Sequence, residues 1–202
     1  MLQLARSIYF LLAILITLMI MVKSLDYFQG DLSKGFLIDK ERIFHWYRYF
    51  LYAHAIGAPI ALLSGVFQFS FQTSKIHRQI GKVYILSVLL LAIPGALLMS
   101  FYAIGGLVST VNFLAMTVLW GYFTYKAYEQ IKTGNISAHR TFMTRSFILT
   151  NSAILIRVLS YFNHNYPIVE IETGYILIAI LSWVPALFIF EMLIMAKKRN
   201  VS

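Results

Sequence analysis

Long apolar runs separated by short polar segments dominate the chain. Residues 7–22 carry no charged side chain, and a second uncharged run lies between Arg48 and Lys75. A third run, residues 83–125, is also free of formal charge. That run is too long for one crossing of a ~30 Å hydrocarbon core at ~1.5 Å per residue. We therefore predict that it folds back on itself at residues 103–110, whose sequence AIGGLVST is typical of a turn.

Two further runs, residues 137–162 and 173–195, bring the number of predicted membrane crossings to six. Backbone groups in lipid must be paired within the protein, so only helices or closed barrels span a bilayer. The runs lack the alternation of barrel strands. The sequence thus predicts an all-α fold, a polytopic transmembrane bundle of about six helices.

The chain divides by this pattern into three predicted parts. Residues 1–48 form a signal-anchor helix and an outer loop, residues 49–196 a five-helix membrane domain, and residues 197–202 a basic cytoplasmic tail. The first helix is predicted to be retained, because the segment MIMVKSLDYFQG after it lacks a small-x-small cleavage motif.

Composition supports a membrane protein and excludes several kinds of chemistry. Hydrophobic residues make up 59% of the chain and charged residues 12%, whereas soluble domains have about 25% charged residues. The absence of cysteine excludes disulfides, thiolate nucleophiles and cysteine-ligated metals. The sequence contains no glycine-rich phosphate loop, serine nucleophile elbow or metalloprotease helix, so no reaction is assigned.

The net charge of +9 is distributed unevenly along the chain. If both termini are cytoplasmic, the inner segments hold eleven Lys and Arg residues against one acidic residue, Glu129. This asymmetry fits the positive-inside rule. It predicts cytoplasmic termini in a bacterial inner membrane, and acidic lipid headgroups on the cytoplasmic side as partners. Nucleic-acid binding has no support.

Two short segments of similar sequence suggest an internal repeat. IHRQIGKVY opens the third span and AHRTFMTRSF opens the fifth. Each places a His-Arg pair, His77-Arg78 or His139-Arg140, just after a turn. We therefore predict two similar helical hairpins at the centre of the chain, each with His-Arg at its inner elbow.

Five collinear motifs carry a resemblance to a known family: HAIGAPIALLSGVFQF, HRQIGKVY, AHRTFMTRSFILT, ILIRV and SWVPALFIFEMLI. Over residues 51–194 the chain resembles the predicted bacterial membrane proteins catalogued as domain of unknown function 2306. The resemblance implies a multi-helix membrane domain and brings no established activity. The basic and acidic residues that it places on family motifs are His54, His77, Arg78, His139, Arg140, Arg145, Arg157 and Glu191.

Two hypotheses fit the inner His-Arg pairs: they bind a cofactor, or they have a structural role at the membrane interface. His77 and His139 are candidate axial ligands of a b-type haem, with Arg78 and Arg140 as partners of its propionates. The same two imidazoles also suit zinc or copper, although no third protein ligand is evident. In the structural alternative, both His-Arg pairs bind lipid phosphate at the interface.

The outer half of the membrane holds a second candidate site. Arg157 is a charge within the membrane, which is rare and normally paired or facing a cavity. His54 lies at a similar predicted depth, so the two are candidates for binding an anionic or quinone-like headgroup. The structural alternative is an ion pair of Arg157 with Glu170 or Glu172. At the inner side, Glu191 is predicted to lie within reach of the inner arginines as their counter-ion.

The leading functional hypothesis is a membrane module that binds haem or a small anionic ligand and has a redox role. Two other classes remain open: a small transporter, and an assembly or structural factor for another membrane complex. Haem predicts a Soret band that depends on His77 or His139. A transporter predicts solute flux that depends on Arg157, and an assembly factor predicts co-purification with a partner.

Overall fold

The computed structural model describes residues 2–29, 37, 40–70, 75–166 and 169–199. Parts of the predicted outer loop, residues 30–36 and 38–39, lie outside the described residues, as do residues 200–202 of the predicted basic tail. Every regular element in the described part of the chain is helical. This confirms the all-α fold.

Eight α-helices follow one another in the described residues. They are α1 (Leu2–Ser24), α2 (Phe44–Ser70), α3 (Lys75–Leu86), α4 (Ile93–Ser100), α5 (Gly106–Lys132), α6 (Ile136–Asn165), α7 (Ile171–Leu181) and α8 (Val184–Arg199). A π-helical segment, Ser87–Ala92, joins α3 to α4, and short 3₁₀ segments lie at Leu25–Gln29 and Glu41–Ile43.

Six helical segments are long and apolar enough to cross a membrane, as predicted. They are Ser7–Gln29, Glu41–Phe69, Lys75–Ser100, Gly106–Lys132, Ile136–Asn165 and Glu172–Arg199. Large apolar side chains are exposed along them, including Met19, Leu90, Leu107, Phe188 and Leu193. Such surfaces suit hydrocarbon, where exposed apolar groups carry no penalty.

The chain consists of two compact units, Met1–Ala103 and Ile104–Ser202. Each contains three of the six membrane-length segments and one of the two predicted hairpins. The boundary coincides with the predicted fold-back: α4 ends at Ser100, and Gly105 and Gly106 have φ angles of 94° and 62°. Positive φ is readily available only to glycine, so these two residues permit the tight turn.

In the first unit, α2 packs along the whole of the third span. Their backbones approach closely at two glycines. A Cβ on Gly57 would lie 2.5 Å from Leu91 Cβ, and one on Gly95 would collide with the carbonyl oxygen of Phe50 and lie 2.6 Å from His54 Cβ. The π-helical segment ends just before Pro94, which has no N–H to donate and so perturbs the helical ladder here.

In the second unit, α5 and α6 form an antiparallel hairpin. Gly134 has a φ of 78°, and the Asn135 side chain accepts a hydrogen bond from Ala138 N at 3.0 Å, which caps α6. The helices pack through small polar side chains, and the hydroxyls of Thr124 and Ser146 lie 2.7 Å apart. Small residues allow helices to approach closely in a membrane.

The last span is interrupted between α7 and α8 at Ser182 and Trp183. Pro185 follows in the first turn of α8, where a missing N–H is tolerated. Pro94 therefore follows a π-helical segment, and Pro185 follows a break in the last span.

The close approach of α2 and α4 at Gly95 predicts that a larger residue there lowers the stability of the protein. In the Gly95→Ala variant we expect the free energy of unfolding to fall by about 1–3 kcal/mol, because overpacking forces α2 and α4 apart. Gly81→Ala is the comparison, with a smaller expected loss: its Cβ meets the end of the Gln68 side chain and no main-chain atom, so only the Gln68–His77 hydrogen bond is disturbed. Unfolding of both variants in detergent, followed by circular dichroism, measures the difference. Equal stability of the two variants would contradict the close packing at Gly95.

Candidate functional site

His139 lies in the first turn of α6 and is tied to the main chain of α5. Its Nδ1 atom lies 2.7 Å from the carbonyl oxygen of Ala127, a fully buried residue. A carbonyl oxygen only accepts hydrogen bonds, so Nδ1 carries the hydrogen. In the neutral ring the lone pair is then on Nε2. This is the tautomer in which a histidine ligates a metal through Nε2, with its other nitrogen donating to a main-chain carbonyl.

His54 has the same arrangement in the first unit. Its Nδ1 atom lies 2.9 Å from the carbonyl oxygen of Ala92, the last residue of the π-helical segment. The absence of a side chain at Gly95 allows this contact, because a Cβ there would lie 2.6 Å from His54 Cβ. The imidazole is half-buried, and its Nε2 atom again carries the lone pair in the neutral form.

The remaining residues of the predicted inner site lie at helix starts. His77 is half-buried in the first turn of α3, its Nδ1 atom is buried, and its main-chain carbonyl accepts a hydrogen bond from Gln68 Nε2 at 3.0 Å. Arg78 and Arg140 are both exposed. Their positions beside the two histidines suit contact with an anionic group at the membrane interface.

Arg145 and Glu191 form a bidentate ion pair between α6 and α8. Arg145 Nε lies 2.6 Å from Glu191 Oε1, and Nη2 lies 2.8 Å from Oε2. The guanidinium also lies over the rings of Phe142 and Phe123, at 5.2 and 5.6 Å from their centroids. The prediction that Glu191 is the counter-ion of an inner arginine is thus confirmed for Arg145. Because the Arg145 guanidinium is engaged by Glu191, we do not assign it to a ligand site.

Arg157 lies on the exposed side of α6 and donates from Nη1 to the carbonyl oxygen of Ala153 at 3.1 Å. Its pairing with Glu170 or Glu172 stays a prediction. Two further pairs were predicted, His77–His139 and His54–Arg157. Each pair has one residue in the first unit and one in the second, so both pairs stay predictions.

Two features of the candidate sites carry no signature in the sequence. The acceptors of the two histidines are main-chain carbonyls, of Ala92 and Ala127, which any residue type supplies. A hydrogen bond from Trp183 Nε1 to Asn112 Oδ1, at 3.1 Å, was also missed. An amide within an otherwise apolar run was the available signal for it.

The fold and these sites define a polytopic helical membrane protein with imidazoles and a charge pair within its spans. The family model described as "Predicted membrane protein (DUF2306)" matches residues 51–194, and the chain belongs to this family. Comparisons with curated proteins and with solved structures found no match.

The ion pair between α6 and α8 gives a second stability prediction. Glu191→Gln leaves the Arg145 guanidinium without its carboxylate, and the side chains are 17% and 35% exposed. We expect the free energy of unfolding to fall by about 1–3 kcal/mol, less than for a fully buried pair. Glu129→Gln is the control, because it removes an ion pair with Lys126 within a single helix, and we expect little change from it. Denaturant unfolding measures both, and equal losses would contradict a structural role for the α6–α8 pair.

Proposed function

We propose that the protein is a haem-binding membrane module in which His139 supplies an axial imidazole. One observation carries this proposal: His139 Nδ1 donates to the carbonyl oxygen of Ala127 at 2.7 Å. That hydrogen bond orients the ring and places the lone pair of the neutral form on Nε2, the nitrogen through which such histidines bind metals.

The neighbouring residues fit an amphipathic cofactor at the interface. Arg140 follows His139 and is exposed, so its guanidinium can pair bidentately with a propionate. Among the described residues no group of three or more His, Asp or Glu side chains gathers around one point. A haem iron needs only one or two protein ligands, because the porphyrin supplies four nitrogens. When bound, such a group supplies one-electron redox chemistry.

Two further candidate imidazoles, those of His54 and His77, lie in the first unit. His54 repeats the hydrogen bond to a main-chain carbonyl, here that of Ala92 at 2.9 Å. His77 remains the predicted second axial ligand, with Arg78 as a propionate partner. We propose the bacterial cytoplasmic membrane as the location, on the basis of the inner excess of Lys and Arg and its attraction to acidic headgroups.

An absorption spectrum tests the proposal directly. We expect protein purified in mild detergent from haem-supplemented cells to show a Soret peak, with sharp α and β bands after dithionite reduction. His139→Ala should lose or strongly shift these bands, and added imidazole should restore them in His139→Gly by occupying the vacated position. His164→Ala is the matched control, because His164 lies exposed at the far end of the same helix.

The variants also assign the second ligand. His77→Ala should alter the bands if the iron has two axial imidazoles and His77 is one of them. His54→Ala should leave them unchanged, because His54 belongs to the outer candidate site. A featureless spectrum from correctly folded, haem-supplemented protein would overturn the proposal. So would bands that His139→Ala leaves unchanged.

A further inference from the structure

The last membrane-length segment of the second unit is broken at Ser182 and Trp183, where α7 ends and α8 begins. Pro185 lies four residues after Leu181 and has no N–H, so the carbonyl oxygen of Leu181 receives no helical hydrogen bond from it. The main-chain N–H of Trp183 donates to the carbonyl oxygen of Ile180, three residues back, at 3.4 Å. The main-chain ladder is thus interrupted here, and sharp bends in helices occur at such interruptions.

The two residues at the break are anchored to the rest of the unit. Ser182 is 0% exposed and Trp183 is 8% exposed. The Ser182 hydroxyl donates to the carbonyl oxygen of Ala179 at 2.8 Å, and the indole N–H of Trp183 donates to Asn112 Oδ1 of α5 at 3.1 Å. Hinges in proteins are commonly a few residues at the ends of secondary-structure elements, so this anchored break is suited to be a pivot.

Beyond the break, α8 lies at the edge of the unit. The structure describes all residues of Val184–Arg199, and none of them is buried. The helix packs mainly against α6. Its side chains Phe188 and Leu193 are each 64% exposed. Lipid chains are as apolar as these side chains, so no hydrophobic driving force holds α8 against its neighbours.

One ion pair ties the middle of α8 to α6. Glu191 lies eight residues after Trp183, ~12 Å along the helix from the break. It binds Arg145 through both carboxylate oxygens, at 2.6 and 2.8 Å. A charge without a partner is costly within a membrane, so the two side chains stay together while both are charged. If Glu191 loses its charge, this constraint on the position of α8 is lost.

We propose that α8 is a hinged arm, which pivots at the break and is held to α6 by the Arg145–Glu191 ion pair. In the closed position the carboxylate covers the guanidinium. In the open position Arg145 becomes accessible from the bilayer, beside the rings of Phe142 and Phe123. The arm is ~24 Å long, so a rotation of about 15° at the break moves its far end by about 6 Å. This device involves none of the proposed haem ligands.

Pulsed electron paramagnetic resonance between two spin labels measures this movement, and the chain has no cysteine that would take up a label elsewhere. One label pair, Ser137→Cys with Lys198→Cys, joins the start of α6 to the end of α8, and both positions are exposed. A second pair, Ser137→Cys with Leu177→Cys, joins α6 to α7 and reports whether the unit keeps its fold. With the ion pair intact, in lipid nanodiscs, we expect one narrow distance distribution for each label pair.

Three substitutions then test the ion pair and the break. Glu191→Gln should add a second α6–α8 distance, displaced by about 6 Å, and should leave the α6–α7 distance unchanged. Glu129→Gln is the matched control, because it removes the ion pair with Lys126 inside α5, and it should leave both distances unchanged. Pro185→Ala, added to Glu191→Gln, restores the missing N–H donor at the break and should reduce the displaced population.

Three results would each overturn the proposal. If Glu191→Gln leaves the α6–α8 distance unchanged, the ion pair does not hold the arm. If both label pairs broaden in that variant, the whole unit loosens and α8 is not a separate arm. If Pro185→Ala does not reduce the displaced population, the motion does not take place at the break.

Discussion

The constraint on which this structure depends is that hydrocarbon offers no hydrogen-bond partner to a polar group. The main chain meets it by forming helices along all six membrane-length segments. Hydroxyl side chains meet it within their own helices: Thr17, for example, donates to the carbonyl oxygen of Ala13 at 2.6 Å and Ser64 to that of Ile60 at 2.7 Å. Polar groups without a local acceptor must find one on a neighbouring helix, and those contacts hold the helices of each unit together.

Each unit contains a histidine whose ring satisfies its hydrogen-bonding need at a main-chain carbonyl. His54 donates to the carbonyl oxygen of Ala92 and His139 to that of Ala127, both across helix pairs. The hydrogen bond stabilises the packing and at the same time selects the tautomer with its lone pair on Nε2. One contact therefore stabilises the fold and places the lone pair of the neutral ring on Nε2. For that reason we place the candidate chemistry at histidines rather than at Arg145, whose charge is already neutralised by Glu191.

The sequence predicted those features that depend on side-chain type. Six crossings followed from the apolar runs, and the fold-back at residues 103–110 followed from the glycines that now adopt positive φ angles. The partnership of Glu191 with an inner arginine was predictable because few acidic residues exist to balance the charge. The π-helical segment before Pro94 and the acceptors of the histidines were not predictable. They depend on main-chain positions that are set by tertiary packing, and any residue type provides a carbonyl.

Main-chain carbonyls hold His54 and His139 with the hydrogen on Nδ1. Nitrogen NMR of haem-free protein containing isotope-labelled histidine measures this tautomer directly, with each signal assigned by a single His→Gln substitution. We expect Nδ1 of both rings to carry a hydrogen. A hydrogen on Nε2 alone would contradict these contacts, because Nδ1 could then not donate to the carbonyl oxygens of Ala92 and Ala127.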